Sequence, residues 1–288
     1  MITVGSLFSG AGLCDLGLSW AGFEHRFFCE CDPFCQSILR RHWPGVPVFD
    51  DVRTLMGTQL PSVDVLCGGF PCQDVSVGGN REGIKENTRS GLWFEYSRLI
   101  EEVRPRYAII ENVPGLLSKG MDIVLRDLSK SGYDAEWDII SAGAFGAPHL
   151  RERLLIIAYP NGSHASQVRA ISAIKRNLGE NIKPEALSRW LGIRFDRSNK
   201  SSAFSAYPSP ILYRVDDGVA KDMDKPDGLV PCAQKTVWTS REQARQWIPM
   251  MRALGNGILP QQSFAVAACI LELEGLPVPK LPSAAADV

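Results

Sequence analysis

The chain has 288 residues, 45% hydrophobic and 22% charged, an ordinary globular composition with ample length to bury a core. Its 31 Lys and Arg against 32 Asp and Glu leave a formal net charge of -1, which excludes a global basic field, so any surface for nucleic acid has to be local. No apolar run reaches the roughly 18 residues of a membrane helix, Met1 leads straight into ITVGSLFSG without the regions of a signal peptide, and the scattered cysteines read as reduced thiols in a cytoplasm.

Residues 2–7 (ITVGSL) read as a first strand, Phe8 to Gly12 as a glycine turn, and Leu13, Leu16, Gly17, Leu18 and Trp20 give helical spacing. Strand, glycine turn and helix open a nucleotide-type βαβ unit, although FSGAG lacks the full G-x-G-x-x-G of dinucleotide binders. Arg26–Cys29 reads as a second strand ending at Glu30. That carboxylate is either a ribose ligand or an acid at the N-terminus of the helix expected over Pro33–His42. A third strand, Pro47–Phe49, ends at Asp50, Asp51 and Val52, where the acids either cap the next segment or accept from an adenine amino group. Cys29, Cys31 and Cys35 form C-x-C-x3-C, but no second Cys/His pair follows at zinc spacing, so structural thiols and no metal are expected.

The centre of the chain is VDVLCGGFPCQDVS, Val63 to Ser76. Val63, Val65, Leu66 and Cys67 suit a buried parallel strand, Gly68 and Gly69 stop it, and Pro71 stiffens the approach to Cys72. Cys72 then stands at the carboxyl end of a central strand, where open α/β sheets place their ligands. A thiol there is either a nucleophile or a buried structural cysteine. The loop 78–91 is long and polar, and its Arg81, Lys85 and Arg89 read as phosphate contacts or as a solvated surface. A helix is expected over Leu92–Val103, stopped by Pro105, then a strand over Tyr107–Ile110 ended by Glu111, Asn112 and Val113. Glu111 falls at a strand's carboxyl end on the side expected for Cys72. Met121–Ser131 reads as helical. Trp137–Ala142 and Leu154–Ala158 read as a hairpin, with Arg151 and Arg153 alternating onto one face, where they bind an anion or orient Glu111. Residues 159–247 turn rich in Ser, Pro and Asn, with basic residues outnumbering acidic ones among interleaved aromatics, the footprint of nucleic acid or of a charged surface insertion. A closing helix is expected over Gln261–Glu274, followed by a Pro/Ala-rich tail.

In order and spacing, FSGAG (8–12), ECD (30–32), DDV (50–52), GGFPCQDVS (68–76), ENV (111–113), RER (151–153) and GNGILP (255–260) resemble the DNA (cytosine-5)-methyltransferase family, over about residues 2–158 and 248–274. The resemblance implies an α/β fold: a Rossmann-like S-adenosylmethionine-dependent methyltransferase domain from 1–158 plus 248–275, a small target-recognition domain at 159–247, and a tail at 276–288. It implies Cys72 as the nucleophile that adds to C6 of a flipped-out cytosine. Glu111 would meet N3 and the exocyclic amine, and Arg151 and Arg153 would hold Glu111 and the cytosine O2 region. The chemistry needs such groups, because C5 is a poor nucleophile until a thiolate on C6 makes it enamine-like. For the cofactor, the resemblance implies Phe8 near the adenine, Gly10 and Gly12 at the methionine end, Glu30 on the ribose, Asp51 on the adenine amine, and Val52, Leu92 and Asn256 completing the pocket. Ser76, with Arg81, Lys85 and Arg89 of the closing loop, would touch DNA. The implied partner is double-stranded DNA, with no membrane, a monomeric enzyme and a prokaryotic or phage setting of restriction–modification. Three positions depart from the family pattern: Leu13 stands where a second glycine is usual, Cys31 where a Trp is common, and His149 where a Gln is usual. An RNA cytosine-5 methyltransferase, an inactive DNA-binding relative and a thiol-redox enzyme are the competing readings. The basic stretch 159–247 and Gln73 after Cys72 favour DNA, the retained Cys72, Glu111, Arg151 and Arg153 argue against inactivity, and Cys72 has no C-x-x-C partner.

Overall fold

The computed structural model of the chain describes residues 1–71, 91–145, 151–163 and 258–280. In chain order its elements are β1 (Thr3–Leu7), α1 (Leu13–Trp20), β2 (Glu24–Cys29), α2 (Pro33–His42), β3 (Val48–Phe49), β4 (Val65–Gly68), α3 (Leu92–Val103), β5 (Tyr107–Asn112), α4 (Leu116–Lys119), α5 (Met121–Lys130), β6 (Tyr133–Ile140), β7 (Arg153–Pro160) and α6 (Pro260–Leu273). Short 3-10 turns cover Val52–Thr54, Gly57–Gln59 and Ala142–Phe145. The seven strands form one sheet in the order β3-β2-β1-β4-β5-β7-β6. Neighbours from β3 through β5 pair in parallel, whereas β7 runs antiparallel to both β5 and β6.

The strands next to the middle are mostly apolar because both of their faces are covered. Val65 and Cys67 of β4, Ile109 of β5, and Leu155 and Ile157 of β7 face a core completed by Leu18 of α1 and Phe264, Val266 and Ile270 of α6. The alternate residues Leu66, Ala108, Ile110, Leu154 and Ile156 face a second core with Trp93, Tyr96 and Leu99 of α3 and Val124 and Leu128 of α5. Tyr96 is fully buried, and its hydroxyl lies 3.0 Å from Leu66 O and 2.8 Å from Ile109 O, tying α3 across β4 and β5. On the other face α1 and α6 approach until a methyl group at Gly17 would overlap Pro260 O and Ser263 Oγ, so that position admits only glycine.

Helix ends follow local chemistry. Asp32 caps α2 by accepting from Phe34 N at 2.7 Å and Cys35 N at 3.2 Å, with Pro33 in the first turn. Arg104, at φ 53°, ends α3 ahead of Pro105. Three expectations are corrected. β6 begins at Tyr133 and ends at Ile140, and the chain then makes a 3-10 turn over Ala142–Phe145 instead of continuing as strand. Its Asp134, Glu136 and Asp138 interrupt the apolar run that would have marked its start. The short α4 was not anticipated. Arg151 precedes β7 and has φ 29°, so it does not alternate with Arg153 along a strand. Among the described residues no helix is long and apolar enough to cross a membrane.

Candidate active site

The chain runs outward from β1 to β3 and returns on the other side of β1 as β4, which places a topological switch between β1 and β4. Ligands of open α/β sheets bind outside the carboxyl ends of the strands at such a point. The residues expected there gather at that edge. The turn after β1 carries Phe8 at φ 54°, Gly10 at φ 56° and Gly12 at φ 78°. It is hooked onto the end of β2: Ser9 N donates to Cys29 O at 3.3 Å, and Gly10 N to Glu30 Oε2 at 2.8 Å. A methyl group at Gly10 would meet nothing within 4 Å, so the turn faces open space.

Glu30 also accepts from Asp32 N through Oε1 at 2.8 Å. Both carboxylate oxygens are thus fixed by backbone amides and still retain acceptor capacity. Gln36 of α2 spans the ends of β2 and β3, donating to Glu30 O at 2.6 Å and Asp50 Oδ1 at 2.9 Å. Asp51 caps the Val52–Thr54 turn through Arg53 N at 3.0 Å and pairs with the Arg53 guanidinium at 2.6 Å. The Arg53 hydrogen bonds hold its carboxyl below the usual range. Val52 is buried, Leu92 is half-buried at the start of α3, and Phe8 packs edge-on to Tyr96 with ring centroids 6.2 Å apart. Cys31 is exposed, whereas Cys29 and Cys35 are buried. Burial first, and the Glu30 carboxylate second, push both buried thiols up to about 12. Among the described residues no cluster of His, Cys, Asp or Glu is placed to hold a metal ion.

The second half of the site is built where β4, β5 and β7 meet. Glu111 opposes Leu155 in the antiparallel register of β5 and β7, so Arg153, two residues before Leu155, lies diagonally on the same face. Arg153 Nε donates to Glu111 Oε1 at 2.9 Å, with the side chains only 12% and 16% exposed. Burial raises the Glu111 carboxyl above its ordinary value, and the positive charges of Arg153 and Arg151 oppose that rise.

Glu111 Oε2 points the other way, onto the segment that follows β4. A methyl group at Gly69 would overlap Oε2 and lie 3.5 Å from Glu111 Cδ. Asn112, buried, donates from Nδ2 to Phe70 O at 3.2 Å, while its Oδ1 accepts from Val113 N at 2.9 Å. Phe70 is itself buried against Trp93, with centroids 5.5 Å apart. Residues 69–71 are therefore pinned beside Glu111, and Pro71 leads directly into Cys72. Cys72, Ser76, Arg81, Lys85, Arg89, Asn256 and residues 164–247 of the expected target-recognition domain lie outside the described residues. Sequence reasoning gave no role to Asn112, and it expected the glycines at 68 and 69 to let the backbone approach a ligand rather than the Glu111 carboxylate. The only signal for either contact was position within ENV and GGFPC, because the Asn112 partner is 42 residues away.

The sheet order, the antiparallel β7 between β5 and β6, and the glycine turn at the switch point define a Rossmann-like fold of the S-adenosylmethionine-dependent methyltransferase type. Dnmt2 methyltransferase of S. pombe shares that fold with a TM-score of 0.63, at 18% identity over 95% of this chain and 99% of its own. The family model for C-5 cytosine-specific DNA methylase matches residues 2–205, well over half of the chain, and the chain belongs to that family. Among its relatives, Type II methyltransferase M2.BsuMI of Bacillus subtilis is 40% identical over 161 residues, covering 53% of this chain and 41% of the relative. Type II methyltransferase M.MspI of a Moraxella species is 28% identical over 223 residues, covering 76% of this chain and 50% of the relative. The chain spans about half the length of the curated relatives it matches.

Proposed function

We propose that this chain transfers a methyl group from S-adenosylmethionine to C5 of cytosine in a short double-stranded DNA sequence, through a covalent bond between Cys72 and C6. The observation that carries the reading is the half-buried Glu111 carboxyl, paired to Arg153 and packed onto Gly69, three residues ahead of Cys72. A prokaryotic cytoplasm is the proposed setting, supported by bacterial and phage relatives, some bearing Type II names and one called an orphan methyltransferase.

The strand ends fit the cofactor. The open, left-handed Gly10 admits a ligand close to the backbone, and Glu30 stands at the end of β2 with lone pairs left for ribose hydroxyls. Phe8, Gly12, Asp51, Val52, Leu92 and Asn256 are the other residues proposed to hold it, and Asp51 would share its oxygens between Arg53 and the adenine amine. When bound, S-adenosylmethionine supplies an electrophilic methyl group next to the cytosine ring. The protein's part is to make C5 nucleophilic. Cys72 as thiolate adds to C6, and Glu111 supplies a proton at N3 so that the electron pair displaced from the 5,6 double bond is held as an enamine. Arg153 and Arg151 keep Glu111 aimed and stabilise its carboxylate once the proton has left. Loss of the C5 proton to water re-forms the double bond and expels the Cys72 thiolate, and the N3 proton returns to the Glu111 carboxylate, which restores the starting state. A cytosine inside a duplex does not reach these groups, so the base is extruded, with Ser76, Arg81, Lys85 and Arg89 proposed to hold the surrounding strand.

The test is bisulfite sequencing of DNA from cells expressing the chain beside a Cys72→Ala control. Methylated cytosines in one short motif, absent from the control, are the expected result. Unmethylated DNA in both strains, with intact protein present, would sink the reading and direct the assay to RNA.

A further inference from the structure

One residue that reaches the catalytic edge comes from the far end of the chain. Gln262 lies in the first turn of α6 and is completely buried. Its side-chain nitrogen donates to Ile140 O at 2.7 Å and to Arg151 O at 3.3 Å, and its Oε1 accepts from Leu259 N at 3.0 Å. Both amide donors are therefore spent on carbonyls at the two ends of the connection between β6 and β7. Ala142 N reaches the same Arg151 carbonyl at 3.4 Å. Arg151 has φ 29°, a backbone conformation that L side chains rarely adopt and that persists only where the surroundings over-determine it. The value of φ sets the direction in which Cβ leaves the chain, so relaxation to an ordinary negative φ would swing the Arg151 guanidinium to a different bearing.

We propose that Gln262 is a positioning residue for the Glu111 site: by clamping the Arg151 carbonyl, its carboxamide holds a strained backbone that turns Arg151 toward Glu111 alongside Arg153. Its catalytic consequence rests on the methyl-transfer reading above, whereas the effect on Glu111 requires no substrate. Gln262 touches neither reactant and acts through Arg151.

Three variants separate this role from simple support of the fold. Gln262→Leu removes both donors at nearly constant shape, and Gln262→Asn retains them one methylene further back. Ser263→Ala alters the next buried residue of α6, whose hydroxyl bonds Pro260 O within its own helix. The first readout is an infrared titration of the Glu111 carboxyl in the free protein, its band identified by its loss in Glu111→Gln. Withdrawing a nearby positive charge favours the neutral acid. The midpoint is therefore expected to move upward in pH in Gln262→Leu, less so in Gln262→Asn, and not at all in Ser263→Ala. The second readout is tritiated methyl transfer to DNA, where Gln262→Leu is expected to lose about 100-fold in kcat, the scale of an ångström-level misplacement, with the KM for S-adenosylmethionine within about twofold. An unshifted Glu111 midpoint in cooperatively folded Gln262→Leu overturns the proposal. Should that variant fail to fold, the midpoint in Gln262→Asn decides by the same criterion. A wild-type protein that transfers no methyl overturns the functional reading, and the midpoint comparison still decides the role of Gln262.

Discussion

Gly69→Ala is the sharpest test of how the segment leading to Cys72 meets Glu111. The added methyl would overlap Glu111 Oε2, and ordinary van der Waals contact begins at 3.4 Å. One partner therefore has to yield by about 1 Å. Glu111 is not free to give way, because Arg153 holds its other oxygen at 2.9 Å in a half-buried pair. The Gly69 segment is tied one residue on by the Asn112 bond to Phe70 O. A displacement of that size between the proposed nucleophile, Cys72, and the proposed proton donor, Glu111, costs about 100-fold in rate, which is ~2.7 kcal/mol of transition-state stabilisation. Gly69 does not have a left-handed φ, so the substitution adds no backbone strain. Its cost to folding is set at about 1 kcal/mol by the local overlap alone, a fall of roughly 2–4 °C in Tm. The assay is tritium transfer from labelled S-adenosylmethionine to unmethylated genomic DNA, read as kcat, beside thermal unfolding of the same preparations. A Gly69→Ala protein with kcat within threefold of wild type would refute the argument that Glu111 and this segment are in working contact.

Other perturbations test separate parts of the description. Burial raises Glu111 in the folded state, so the fold binds a proton there more tightly than the unfolded chain. That contribution is fully present below the unfolded value and is lost as pH rises through the folded one. Denaturant titrations should accordingly show wild type gaining stability relative to Glu111→Gln as pH falls from 8 toward 4.5, and a difference that grows in the opposite direction would contradict the assignment. Tyr96→Phe deletes the hydroxyl shared by Leu66 O and Ile109 O and should lower stability by about 1–2 kcal/mol in calorimetry, with turnover per folded molecule unchanged. Cys31 is exposed beside Glu30, at a position where the family often carries Trp, and Cys31→Trp should tighten S-adenosylmethionine about 2- to 10-fold by calorimetric titration through an added aromatic stack. Weaker binding there would show that the adenine lies elsewhere.

Much of the architecture was legible because its causes are local. Helices α2 and α3 were expected with their observed bounds, since Asp32, Pro33 and Pro105 mark their ends within a residue or two. The strands β1, β4 and β5 announced themselves as short apolar runs because both faces are buried. Glu30 and Glu111 were recognisable as candidates because each stands where an apolar run stops. The long β6 was read short, since its alternating acids hide the period of an outer strand. Arg151 was assigned to the wrong backbone state, because a left-handed arginine leaves no trace in sequence and depends on an amide 111 residues away. Gln262 itself, inside an apolar helix, looks like an ordinary buried polar residue until its two carbonyl partners are known.

Thr3, Asp64, Arg106 and Glu274 form one continuous line of polar contacts. Thr3 Oγ1 donates to Asp64 Oδ2 at 2.8 Å, Asp64 lies 3.7 Å from Arg106, and Arg106 pairs with Glu274 just past α6. The beginning of β1 and the end of α6 are thus neighbours at the edge of the sheet opposite the candidate site. The order in which the chain is read is then largely separable from the shape it makes. A gene rearranged so that the segment encoding α6 precedes β1 should therefore spell a different polypeptide with the same sheet order, and loss of cooperative unfolding in that product would refute the point.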